Sequence, residues 1–76
     1  MPISLRSLET PGPDYLVEPT PEGFAIVRRD RKARATFTAL ARRVLDAAGD
    51  TYVALPRSDG PDGYERVFII PFEDHA

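Results

Sequence analysis

Thr36-Phe37-Thr38-Ala39-Leu40-Ala41-Arg42-Arg43-Val44-Leu45-Asp46-Ala47-Ala48-Gly49 is the stretch that decides the fold. Phe37, Leu40, Ala41, Val44, Leu45 and Ala48 recur at i, i+3, i+4, i+7, i+8 and i+11, one stripe of an amphipathic α-helix. The spacing predicts a helix over residues 36–48. Thr36 offers a hydroxyl for the N-cap, and Gly49 stands where a left-handed C-terminal residue is wanted. Arg42 and Asp46 lie four apart on the polar side, and Arg43 near the last turn suits the helix dipole.

On either side of this helix the period changes to that of strands. Upstream, Tyr15-Leu16-Val17-Glu18 and Phe24-Ala25-Ile26-Val27-Arg28 flank Pro19-Thr20-Pro21-Glu22-Gly23. This reads as a hairpin of strands 14–18 and 23–29 joined by a five-residue loop, in which Gly23 tolerates positive φ. Downstream, Thr51-Tyr52-Val53-Ala54-Leu55 is expected to break at Pro56, and Tyr64-Glu65-Arg66-Val67-Phe68-Ile69-Ile70 at Pro71, with a turn-rich segment between them. The expected fold class is therefore α+β, in the order ββαββ: an antiparallel sheet of two hairpins with one helix packed on one face. At 76 residues the chain is one domain, placed at 14–72, after a Pro/Gly-rich lead-in at 1–13 and before an acidic tail at 73–76 expected to fray.

One helix covers one face of such a sheet. In the last strand both Phe68/Ile70 and Val67/Ile69 are apolar, which points to burial on both sides. A second copy of the chain, or the N-terminal segment with Ile3, Leu5 and Leu8, is the expected second cover.

Composition narrows the chemistry. Without cysteine there is neither disulfide nor thiolate, and a single histidine, His75, in the terminal tail offers no ordinary zinc-ligand spacing and no ordered general base. Ser4, Ser7 and Ser58 have no basic partner close in sequence. Asp59 and Asp62 read as turn residues, since a calcium loop needs a ladder of ligands and a closing Glu. No glycine-rich phosphate loop, paired-carboxylate motif or nucleophile elbow occurs. The expectation is a protein that is not an enzyme and needs neither cofactor nor metal. Residues 1–13 lack the apolar run of a secretory signal and no stretch reaches membrane-spanning length, so a cytoplasmic protein without membrane contact is expected.

Charge is divided rather than merely balanced. Between Arg28 and Arg43 stand seven of the ten bases (Arg28, Arg29, Arg31, Lys32, Arg34, Arg42, Arg43) with one acid, Asp30, a local charge of +6. The remainder holds three bases and eleven acids, a charge of −8. Such a two-signed molecule steers a charged partner. The basic residues are candidates for contact with an acidic protein surface; a solvated connection is the plain alternative. Nucleic acid comes behind these, because no aromatic platform interleaves with the basic run. Tyr15, Tyr52 and Tyr64 are candidate contacts on the sheet face, with core packing as the competing reading.

The run Tyr15-Leu16-Val17-Glu18-Pro19, then Glu22-Gly23-Phe24-Ala25-Ile26-Val27-Arg28, an Ala/Arg-rich helix and Gly49-Asp50-Thr51-Tyr52-Val53-Ala54-Leu55 resembles a family of short uncharacterised bacterial ββαββ domains. That resemblance spans about 45 residues and implies the fold alone. In size, acidity and plan the chain is also similar in type to small phage-encoded inhibitors of host complexes, including those that act on CRISPR surveillance complexes. The similarity of type implies a stoichiometric inhibitor or regulator.

Overall fold

A computed structural model of the chain describes residues 5–49, 51–58, 60 and 63–72. A short helix α1 (Leu5–Glu9) precedes strands β1 (Tyr15–Thr20) and β2 (Gly23–Arg28). A 3₁₀ turn (Arg31–Ala33) leads into α2 (Arg34–Ala47), and strands β3 (Tyr52–Ser58) and β4 (Tyr64–Pro71) close the fold. The four strands form one antiparallel sheet in the order β1-β2-β4-β3. The fold class is thus α+β, with the ββαββ element order carried by β1, β2, α2, β3 and β4 and with an extra N-terminal helix.

Strand alternation sorts the side chains. Tyr15, Phe24, Ile26, Val67, Ile69 and Tyr52 lie beneath the helix and form one core with Phe37, Ala41 and Val44 of α2. Leu40, Ala48 and Ala54 pack partly buried against them. Of the stripe read from the sequence, Phe37, Ala41 and Val44 are buried and Leu40, Leu45 and Ala48 half-buried, while Thr38, outside the stripe, is buried with them; truncating a fully buried ring such as Phe37 costs about 3–5 kcal/mol.

The elements depart from the sequence reading where local chemistry outweighs pattern. The helix begins two residues earlier than expected, because Asp30 starts the 3₁₀ turn: its Oδ1 accepts the Ala33 N–H at 3.0 Å. Thr36 is not the cap; inside the first turn of α2 its hydroxyl donates to the Ala33 carbonyl at 3.1 Å. Gly49 does have positive φ, +131°, in the turn toward β3. Neither Pro19 nor Pro56 ends its strand. Both sit within edge strands, where a missing N–H removes no ladder bond on the solvent side. The first hairpin turns on Pro21 and Glu22 alone, since Thr20 already pairs with Gly23, and the Thr20 hydroxyl accepts the Gly23 N–H at 3.0 Å.

Residues 5–13, read as lead-in, hold α1, and Leu8 of that helix is buried in the shared core. The Tyr15 hydroxyl ties the segment down, sharing its proton between the carbonyls of Ser7 (3.0 Å) and Thr10 (2.8 Å). This part of the N-terminal segment therefore extends the helix side of the sheet rather than covering the far side. Ile3 and Ser4, together with the tail at 73–76, lie outside the described residues.

Gly23 is needed for space, not for positive φ. A Cβ on Gly23 would stand 2.3 Å from the Ile69 carbonyl oxygen and 2.7 Å from Pro71 Cδ, so a side chain there pushes β2 away from β4. Gly23→Ala is expected to destabilise the protein by about 1–3 kcal/mol, the usual cost of overpacking. A change in unfolding free energy from urea melts below about 0.5 kcal/mol, the scatter of neutral surface changes, contradicts this close approach.

Candidate functional site

Two surfaces stand out, on opposite sides of the sheet-helix sandwich. The first comes from the basic segment. Because β2 ends at Arg28 and α2 starts at Arg34, the 3₁₀ turn delivers Arg31 and Lys32 beside the first turns of the helix. Arg34 and Arg42 then project from the flank of α2. These four cations line one shallow, open concavity of about 600 Å³, whose remaining lining is Ala35, Thr38 and Ala39. Among the described residues, no carboxylate lines it.

Helical geometry explains this selection. At 100° per residue, Ala35, Thr38, Ala39 and Arg42 fall on one flank of α2, whereas Arg43 is turned a further 100° away from Arg42. Arg28 and Arg29 lie before the turn and do not line the concavity. Of the seven basic residues singled out from the sequence, the fold gathers four and leaves three elsewhere. The small floor, which charge counting does not flag, is legible only once the helix phase is known.

Arg34 also leans on the β3–β4 turn. A Cβ on Gly63 would lie 2.9 Å from Arg34 Nε and 3.2 Å from Thr38 Oγ1, and the Tyr64 N–H reaches the Thr38 hydroxyl at 3.4 Å. Ser58, the serine nearest this region, has its hydroxyl engaged in the same turn with the Gly60 and Gly63 backbone. Asp59, Asp62 and His75 lie outside the described residues. Among the described residues, no group of His, Asp and Glu side chains is arranged to hold a metal ion, and no helix is long and apolar enough to cross a membrane.

The second surface is the far side of the sheet. It is not presented by the tyrosines. Tyr15 and Tyr52 have the opposite parity and are buried under the helices; the Tyr52 side is completely enclosed, with its hydroxyl donating to the Val44 carbonyl at 2.9 Å. Tyr64 is half-buried and packs against the same core. Of the two readings of the tyrosines, core packing describes Tyr15 and Tyr52, because a tyrosine's polar tip suits a buried carbonyl as well as an interface.

The far side instead shows Leu16, Val27, Val53, Leu55, Phe68 and Ile70, which share the other parity in the register of the four strands. Leu55 keeps 48% of its surface exposed and Leu16 43%. Two guanidinium groups approach Phe68, with Arg57 Cζ 6.0 Å and Arg66 Cζ 5.8 Å from the ring centroid. Arg66 also reaches diagonally across β2 to Glu18, 3.3 Å away. That pair is largely solvated and contributes at most about 1 kcal/mol. Cation–π geometry at this distance adds a similar amount.

No family model, curated protein or solved structure matches this chain.

Burial raises the pKa of both Tyr15 and Tyr52 above 10.0, because the phenolate loses solvation. Between the unfolded and folded pKa values the unfolded chain releases phenol protons that the folded chain keeps. Stability is thus fully present below pH 10 and falls as pH rises through the folded values. Tyr52→Phe is expected to cost about 1 kcal/mol through the lost bond to Val44 and to reduce the alkaline loss. Urea melts at pH 8 and above pH 10 check both, and an unchanged pH dependence in the variant refutes Tyr52 as a contributor.

Proposed function

We propose that this chain is a non-catalytic protein-binding module that captures an acidic segment of a partner in the basic concavity on α2. The observation that carries this reading is the convergence of Arg31, Lys32, Arg34 and Arg42 on one concave surface. Four cations around a small-residue floor attract carboxylates at the rim and leave room for the partner's backbone or helix above Ala35 and Ala39. The rest of the chain carries a surplus of acid, which repels extended polyanions while the local field remains positive. Aromatic stacking groups, on which single-stranded nucleic acid relies, do not line this concavity.

A module of this kind acts by occupancy. By covering an acidic surface it inhibits or regulates a larger complex in fixed stoichiometry, the role of the small phage-encoded inhibitors that the chain resembles in plan; the cytoplasm is the setting that reading requires.

Fluorescence anisotropy with a labelled Glu/Asp-rich peptide tests the assignment. Binding is expected at low salt and is expected to weaken steeply as ionic strength rises. Replacing Arg31, Lys32 and Arg42 by Glu should abolish it, while Arg29→Glu and Arg43→Glu should reduce it by no more than about threefold, as residues outside the concavity that act only through the long-range field. Equal losses from both sets, or tighter binding of an oligonucleotide of equal charge, overturn the reading.

A further inference from the structure

The far side of the sheet is independent of the basic concavity and lies across the molecule from it. We propose that this face is the docking surface for a second copy of the chain, related by a two-fold axis running parallel to the strands between β2 and β4.

The edges of the sheet make the face the available route to association. Both edge strands carry a proline, Pro19 in β1 and Pro56 in β3. Their missing outward donors blunt edge-to-edge extension of the sheet. The face, in contrast, presents a contiguous apolar surface from Leu16 to Val53.

The register defines three rows of side chains across β1, β2, β4 and β3. They read Leu16, Val27, Arg66, Arg57; then Glu18, Ala25, Phe68, Leu55; then Thr20, Gly23, Ile70, Val53. Charge is therefore arranged across the strands, with Glu18 on one edge and Arg57 on the other. A two-fold along the strands lays β1 over β3 of the other copy and β2 over its β4. Glu18 then meets the second copy's edge at Leu55 and, diagonally, Arg57. Gly23 and Ala25, the small residues of β2, fall opposite the bulky Ile70 and Phe68. A two-fold perpendicular to the strands through the middle row instead sets Glu18 against the second copy's Glu18, like charge on like charge at the interface.

The size of the surface sets the strength. Four strands about 4.8 Å apart and three rows about 6.8 Å apart make a plate of roughly 19 by 20 Å. Two such plates, with their side-chain relief, bury on the order of 1,000 Å², the lower limit for a specific interface. A reversible dimer with a dissociation constant of about 10–100 µM is expected.

Sedimentation velocity on the whole chain tests this. The wild-type protein should pass from monomer to twice the monomer mass as concentration rises from about 1 to 500 µM, bracketing that range. Leu55→Asp, at an exposed edge position, should weaken association at least about tenfold with an unchanged circular dichroism spectrum. Glu18→Arg and Arg57→Glu should each weaken it too, through like charges across the interface. An equimolar mixture of these two variants should associate more tightly than either alone. Within one chain the two positions sit on opposite edges about 14 Å or more apart, so this rescue has to act between copies. A wild-type chain that remains monomeric throughout, or a mixture no better than its components, overturns the proposal.

Discussion

The packing of α2 on the sheet is the interaction on which the rest of the molecule depends. Phe37, Ala41 and Val44 share one core with Ile26, Val67 and Ile69, and the helix lies closest to the inner strand β4 and its edge neighbour β3. A helix is about 10–12 Å across, whereas four strands span roughly 19 Å, so one helix leaves the flanks of its own face uncovered. The chain resolves this with tyrosines and a short second helix. Tyr52 fills the space on β3, with its hydroxyl on the last full turn of α2. Tyr15 does the same on β1, with its hydroxyl on the end of α1 and the loop after it. Leu8 then closes the corner.

That solution uses the apolar N-terminal segment on the helix side and so determines the condition of the opposite face. Leu8 cannot serve both sides of the sheet. The far side is left with aliphatic side chains, a phenylalanine approached by two arginines, and one diagonal ion pair. The geometry of the crossover has a parallel effect on charge. A connection from β2 to α2 must pass the end of the sheet, and the basic run occupies that passage. Its 3₁₀ turn brings Arg31 and Lys32 to the same flank of the helix as Arg42, which is ten residues further along from Lys32. Apolar and cationic surfaces thus arise from one topological choice and point in different directions.

The helix and both hairpins were legible because each has a strong local period: 3.6 residues in the run from Phe37 to Ala48, two residues in the strands. The strand order was not, because hairpin signals say which neighbours in sequence pair and are silent on whether β2 meets β4 or β1 does. The prolines at 19 and 56 misled for a related reason. A proline forbids a central ladder but not an edge, and edge status follows only from strand order. Asp30 was passed over as a cap because the stripe placed the helix start at Thr36, while a 3₁₀ turn moved it upstream. Of the candidate surface, the net sign of residues 28–43 was readable, but which four cations converge depends on helix phase. The tyrosines show the limit most clearly: Tyr15 and Leu16 are adjacent, and the parity that buries one exposes the other, so residue type alone leaves open which of the pair faces out.

The two surfaces also bear on each other energetically. A chain of this size has little excess stability, and each contact made only by the folded form adds to it by mass action. The sheet face and the basic concavity do not share residues, so occupation of one leaves the other open. A face-to-face pair sets Ala25 and Phe68 nearest its axis and Leu16 and Leu55 toward its rim, and carries its two basic concavities on the outside, away from the axis. The positive fields are then kept apart by the thickness of two sheets and two helices, well beyond the roughly 8 Å screening length of physiological salt, and so oppose association little. A partner with two acidic segments would engage both concavities, and the second contact would gain from the high local concentration set by the first. In that arrangement the apolar face contributes stability and valence, while the selection of a partner rests with the four cations on α2.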